Sequence, residues 1–158
     1  MFGDKKTLVP LTNYQLTDLI PHREPFLFVD RIVSCKEKHS VCERTFTLEN
    51  SWFFKGHFPQ YPVVLGVLLV ETMAQAGGAG LVAAGVYPTG LVFLLASIDN
   101  VKFRRQVRPN EVLRMEATTK KASNRLVKQT GKAYVGDELA VEGEWVCILM
   151  EGASLPKA

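Results

Sequence analysis

Cysteine is scarce in this chain. Three residues of 158 carry thiols (Cys35, Cys42 and Cys147), the number is odd, and no two stand as a C-x-x-C pair. That excludes a disulfide scaffold and reads as reduced thiols in a cytoplasmic protein. An excess of one charge is also missing: 19 Lys and Arg against 16 Asp and Glu leave a net charge of +3. A protein that holds nucleic-acid phosphates usually shows a denser basic stripe, so no nucleic acid is expected as partner. There is no repeat, low-complexity tract or linker, and 47% apolar residues exclude wholesale disorder. The histidines His22, His39 and His57 have no metal-ligand spacing, so no metal site is expected. The opening MFGDKKTLVP has no apolar core after its lysines and does not read as a secretory signal.

What is present is one long apolar run, Val63 to Val86. Glu71, Gln75 and Gly77-Gly78 interrupt it, and an ionisable residue in mid-span is costly in lipid. No second such run exists, so the segment reads as a helix buried on nearly all sides and not as a membrane span. The length suits a single domain over 1–158, with loose termini at 1–10 and 152–158. A chain of this size buries roughly 70% of its unfolded surface and can form a core without staples.

Asn13 to Ile20 reads as a short helix capped by Thr12 and stopped by Pro21. Pro25 to Lys36 and His39 to Thr47 are rich in aromatic and β-branched residues and read as strands. In the second of these, Cys42, Arg44 and Phe46 share one face. Leu48 to Gln60 reads as an irregular loop with a buried aromatic side, and Gly66 to Gly85 as the long helix. Four strands follow: Leu91 to Arg105, Glu111 to Lys121, Arg125 to Val135 and Glu138 to Met150. Pro109-Asn110 and Gly136-Asp137 are the clearest turns between them. Short turns imply an antiparallel sheet, and a helix apolar all round must be enclosed. The fold class is therefore α+β, a curved antiparallel sheet wrapped around a long central helix. An exposed sheet edge favours pairing with a second copy.

The stretch GHFPQYPVVLGVLLVETMAQAGG (56–78) resembles the signature of the (3R)-hydroxyacyl-acyl-carrier-protein dehydratases of bacterial fatty-acid synthesis, the FabZ type. PHREPFLFVDR (21–31), SIDNVKFRRQV (97–107) and AYVGDELAVEGE (133–144) agree with it, so the likeness covers about residues 15–150. The resemblance implies the hot-dog fold and dehydration of a 3-hydroxyacyl thioester carried on acyl carrier protein. It implies a homodimer or a trimer of dimers, and no metal or organic cofactor. His57 and Glu71 match the family's catalytic pair, contributed by opposite subunits. On chemistry alone, a His beside Phe and Pro is more often a structural residue, and a Glu on an apolar helix is usually paired or at an interface. The reaction needs a base for the C2 proton and an acid for the departing hydroxyl. A neutral imidazole suits the first role, and a carboxyl among Leu69, Val70, Met73 and Ala74 suits the second.

Gln75, four residues after Glu71, lies on the same helix face and is the candidate to orient its carboxyl. Gly66 and Val67 open the helix, where N–H groups lack intrahelical acceptors; the resemblance brings the thioester carbonyl there. Related chains commonly read PVMPG where this one reads Pro62-Val63-Val64-Leu65-Gly66, which removes a fixed φ and adds bulk. The dehydratase/isomerase cousins usually carry Asp at the Glu71 position, and hot-dog thioesterases generally lack the spacing of 71 − 57 = 14 residues. Phe93 and Leu94 fall where the family borders its acyl tunnel, and read otherwise as core. Lys102, Arg104, Arg105 and Arg108 form a basic cluster, either a solvated edge or a docking patch for an acidic carrier protein. His22 is assigned a structural role. Gly78-Ala79-Gly80-Leu81-Val82-Ala83 mimics a dinucleotide fingerprint, but it follows a helix where that motif needs a strand, and reads as tight helix packing. Two rivals remain: a related enzyme acting on coenzyme A thioesters or specialised chains, and a non-catalytic acyl-binding module.

Overall fold

A computed structural model describes residues 15–157. The arm at 1–10 and the Thr12 cap lie outside the described residues. The chain runs through α1 (Leu16–Leu19), β1 (Arg31–Lys36), β2 (His39–Thr45), a 3-10 turn (Trp52–Lys55), α2 (Gly66–Ala83), β3 (Leu91–Phe103), β4 (Val112–Ala122), β5 (Leu126–Val135) and β6 (Glu138–Glu151), and ends in a 3-10 turn (Gly152–Ser154). The six strands form one sheet in the order β1-β2-β4-β5-β6-β3, antiparallel at every pairing.

Strand alternation sets which side meets the helix. Leu113, Met115, Ala117 and Thr119 of β4, Val127, Gln129, Gly131 and Ala133 of β5, and Val141, Gly143, Trp145 and Cys147 of β6 all turn inward. They close over α2, of which 15 of 18 residues are buried. This is the one described helix long and apolar enough to cross a membrane, and it is the core helix. Small residues make the wrap possible: a Cβ on Gly131 would stand 2.5 Å from the Trp145 ring and 3.3 Å from the Met73 sulfur. The polar side chains enclosed between β4, β5, β6 and α2 bond to one another. Trp145 Nε1 donates to Gln129 Oε1 (3.2 Å), and Gln129 Nε2 donates to Thr119 Oγ1 (3.1 Å) and Gly77 O (3.4 Å).

Two expectations about elements are corrected. The strand expected over Pro25 to Lys36 is regular only from Arg31, because the backbone of the preceding segment bonds elsewhere: Phe28 N–H donates to Gln75 Oε1 (2.8 Å), and Phe26 O accepts from Gln75 Nε2 (3.0 Å). A side chain of α2 takes the place of a neighbouring strand. Within the described residues α1 is a single turn from Leu16, with Gln15 at its N-cap position, and Ile20 is already extended before Pro21. The tail from 152 is tied at its root, where Gly152 N–H donates to Gly90 O at 2.9 Å.

The sheet has two edges, β1 and β3. β3 bonds only to β6, and every residue from Leu94 to Asn100 is exposed. Leu94, Leu95, Ile98 and Phe103 are 44, 38, 48 and 55% exposed, an unusual apolar display for a free edge.

Candidate active site

Glu71 stands one turn into α2, half-buried, on a helix whose other faces are packed away. Gln75, 3% exposed, donates Nε2–H to Glu71 Oε1 at 2.9 Å. The same amide holds residues 26 and 28, so one side chain fixes both the carboxyl and the segment packed beside it.

A small cavity of about 20 Å³ adjoins Glu71, walled by Ile20, His22, Ala74, Gln75, Gly78, Phe93, Leu95 and Cys147. Of the two expected tunnel residues, Phe93 is on this wall, with its ring edge-on to Tyr87 at 6.0 Å. Leu94 points away, on the exposed face of β3, because consecutive strand residues alternate. Burial, and next the charge of Glu71, push the Cys147 thiol up to about 12. It remains protonated and acts as packing.

His57 sits in the loop between the Trp52–Lys55 turn and α2. Its own N–H donates to Phe53 O (2.9 Å), and Val63 N–H donates to His57 O (3.1 Å). The ring stacks on Phe58, with centroids 4.2 Å apart. Its Nδ1 lies 2.9 Å from Val63 O. A carbonyl only accepts, so Nδ1 carries the proton and Nε2 is left as the free basic nitrogen. His57 is not on the wall of the Glu71 cavity.

At the helix start, the Gly66 and Val67 N–H groups find no acceptor among the described residues, and Val67 is 71% exposed. Leu65, in the place of the usual proline, holds φ at −61°. That is the angle a proline ring would impose, so the turn into the helix keeps its shape without the ring. The exposed Phe103 ring closes over Gly66, and a Cβ there, 2.7 Å from the ring, would make the ring swing aside.

The basic cluster divides. Arg105 donates to both carboxylate oxygens of Glu111 (2.7 and 2.8 Å) and to Glu138 (3.2 Å). These bonds raise its pKa further and tie it to the fold. Arg104 reaches Glu142 at 3.4 Å, Arg108 lies over the Tyr61 ring at 4.4 Å, and Lys102 is exposed.

Two contacts at the site were not legible in the sequence: His22 Nε2 lies 3.4 Å from Glu71 Oε1, and Phe103 covers Gly66. The only signal for His22 was its place in the PHREPFLFVDR block, since nothing in its spacing links residue 22 to residue 71.

Residues 20–144 match the family model of the FabA-like domain. The 3-hydroxyacyl-[acyl-carrier-protein] dehydratase FabZ of Desulforamulus reducens is 43% identical over 129 residues, 82% of this chain and 90% of that one. Its counterpart from Koribacter versatilis is 36% identical over 155 residues and spans 98% of both chains. Among solved structures, the dehydratase heterocomplex ApeI:P from Xenorhabdus doucetiae superposes with a TM-score of 0.73 at 15% identity, covering 89% of this chain and 95% of that one; this is a likeness of fold. The uncharacterized protein PH1136 from Pyrococcus horikoshii gives 0.59 at 21% identity, covering 90% and 94%. The chain belongs to the FabA-like family, on its FabZ-type dehydratase branch, and its sheet-wrapped helix is a hot-dog fold.

Proposed function

We propose that this enzyme removes water from (3R)-hydroxyacyl chains carried on acyl carrier protein, giving the trans-2-enoyl product in fatty-acid synthesis. The observation that carries the reading is the Glu71 carboxyl, held by Gln75 at a small cavity on an otherwise buried helix, together with a His57 whose Nε2 is left free. His57 Nε2 takes the C2 proton. The developing negative charge on the thioester oxygen is met by the unpaired N–H groups of Gly66 and Val67. The C3–O bond breaks as Glu71 gives its proton to the hydroxyl, which leaves as water, and the C–H electron pair becomes the new double bond. His57 ends protonated and Glu71 ionised, and transfer of one proton between them resets the site.

His57 and Glu71 meet across a homodimer in this reading. The free edge of β3, with its exposed Leu94, Leu95 and Ile98, is the surface on which a second copy pairs. Such dimers can assemble further as a trimer. Lys102, Arg104 and Arg108 are the cations available to an acidic carrier protein, whereas Arg105 is committed to Glu111. The buried, protonated thiols suit a reducing cytoplasm.

The test is hydration of a crotonyl thioester on carrier protein and on coenzyme A, followed by loss of enoyl absorbance. His57→Ala and Glu71→Gln each lower turnover by about 10²–10⁴-fold in a folded protein. Mixed dimers of the two variants recover one intact site. Near wild-type turnover by folded His57→Ala refutes the mechanism, and verified mixed dimers without activity refute the shared site.

A further inference from the structure

The Glu71 carboxyl has two unlike oxygens. Oε1 takes Gln75 Nε2–H at 2.9 Å and lies 3.4 Å from His22 Nε2, while no donor among the described residues reaches Oε2. The two side chains that crowd Oε1 come from different parts of the chain, one on α2 and one from the turn after α1.

His22 is built into place. Ile20 beside it is 2% exposed and anchors the turn in the core. The Arg23 guanidinium bonds the backbone on both sides of it, donating Nη1–H to Ile20 O (3.0 Å) and to His22 O (2.7 Å). The imidazole is 21% exposed and lies on the wall of the Glu71 cavity, and its Nδ1 is buried with no hydrogen-bond partner among the described residues. That orphan selects the tautomer. A proton on Nδ1 would be a buried donor without an acceptor, and Nε2 would then turn a lone pair toward a carboxyl oxygen. With the proton on Nε2, only a lone pair goes unmatched, and Nε2 is the ring nitrogen that lies beside Oε1, at 3.4 Å.

We propose that His22 is a positioning residue for Glu71. Its Nε2–H joins Gln75 in occupying Oε1, so that Oε2 is the oxygen that exchanges a proton with the substrate hydroxyl. This rests on Glu71 serving as the acid of the dehydration. With both donors at one position, the proton-free oxygen of the acid is held there and the O–H falls on the other, so the reacting oxygen keeps one direction. His22 touches no reacting atom and works only through the carboxyl.

Two substitutions separate positioning from packing. Gln places an amide N–H close to where imidazole Nε2 stands, and Phe keeps the ring volume but has no donor. His22→Phe is expected to lower kcat on a short enoyl thioester by about 10- to 100-fold, the range of a hydrogen bond to a charged group, with KM unchanged. His22→Gln restores most of the loss. Equal losses in the two variants, or wild-type kcat in a folded His22→Phe protein, overturn the proposal. Glu71→Gln measured beside them keeps the two readings apart. If it retains turnover, the acid role fails and the proposal with it; if it is inactive while His22→Phe is not impaired, only the proposal fails. A readout independent of turnover is the His22 tautomer from long-range proton–nitrogen NMR of the wild-type protein and of Glu71→Gln. The Nε2–H form, with ring nitrogen signals that move on Glu71→Gln, is expected. An Nδ1–H form, or signals indifferent to Glu71, overturns the hydrogen bond itself.

Discussion

Replacing Gln75 by Leu leaves an apolar side chain one atom shorter and removes all of its hydrogen bonds. Gln75 is 3% exposed, and its amide serves Phe28 N–H at 2.8 Å, Phe26 O at 3.0 Å and Glu71 Oε1 at 2.9 Å. Phe28 is 1% exposed, so its N–H would be left unpaired out of reach of water, which costs about 1–3 kcal/mol. Phe26 is 40% exposed and its carbonyl can recover part of its loss from solvent, so about 1 kcal/mol is added there. The sum, about 2–4 kcal/mol, is a large share of the roughly 5–15 kcal/mol that holds a domain folded. At about 2–4 °C per kcal/mol for a domain of this size, Tm falls by about 4–16 °C. Turnover falls as well, because the carboxyl loses its shorter donor, by about tenfold or more at temperatures where the variant is folded. Gln75→Glu is worse, since it sets a second carboxyl against Glu71 and the Phe26 carbonyl. Thermal unfolding by circular dichroism and hydration kinetics check both effects. A Gln75→Leu protein with wild-type Tm would show that the 26–28 segment does not depend on this amide, and the account of why no strand forms there would fail.

Three further outcomes are expected. Arg105 holds the Glu111 carboxyl below the usual carboxylate range, first through its hydrogen bonds. A depressed folded value means stability that is present above the ordinary carboxylate pKa and lost as pH falls through the folded one. Glu111→Gln therefore flattens the fall in urea midpoint below about pH 4 while changing the midpoint little at pH 7, as the pair is partly exposed; parallel slopes for the two proteins count against it. Burial raises all three thiols, Cys42 and Cys147 to about 12, so an aromatic disulfide reagent at pH 8 labels the native protein only as fast as it opens; rapid labelling of any of them contradicts the packing. Replacing Lys102, Arg104 and Arg108 together by Ala raises KM for carrier-linked substrate and leaves a cysteamine thioester unaffected, and added salt does the same to the wild type. Equal losses on both substrates would move the docking surface to another face.

Much of the architecture was legible because it rests on period and composition. The alternation in β2, β4, β5 and β6 is visible residue by residue, and the strands end within a few residues of the turns marked by Pro109-Asn110 and Gly136. The long apolar run had to be enclosed, and the sheet encloses it. The GHFP to Glu71 segment is local and specific enough to point to its family from residues alone. Most of the misses depend on contacts that spacing along the chain does not reveal. Pro25 to Asp30 has the composition of a strand, but its backbone groups find the Gln75 amide from 47 and 49 residues away. Arg105 looks like a surface cation until Glu111 and Glu138 close on it from the far sides of two turns. His22 has no neighbour in sequence to suggest a role, and only the folding of the first turn against α2 brings its ring to Glu71. Side-chain type and spacing determine which elements form and which faces are apolar, because those follow from local sterics and burial. The partners of a buried polar group are chosen by whichever distant atoms the fold delivers, and that only the tertiary structure decided.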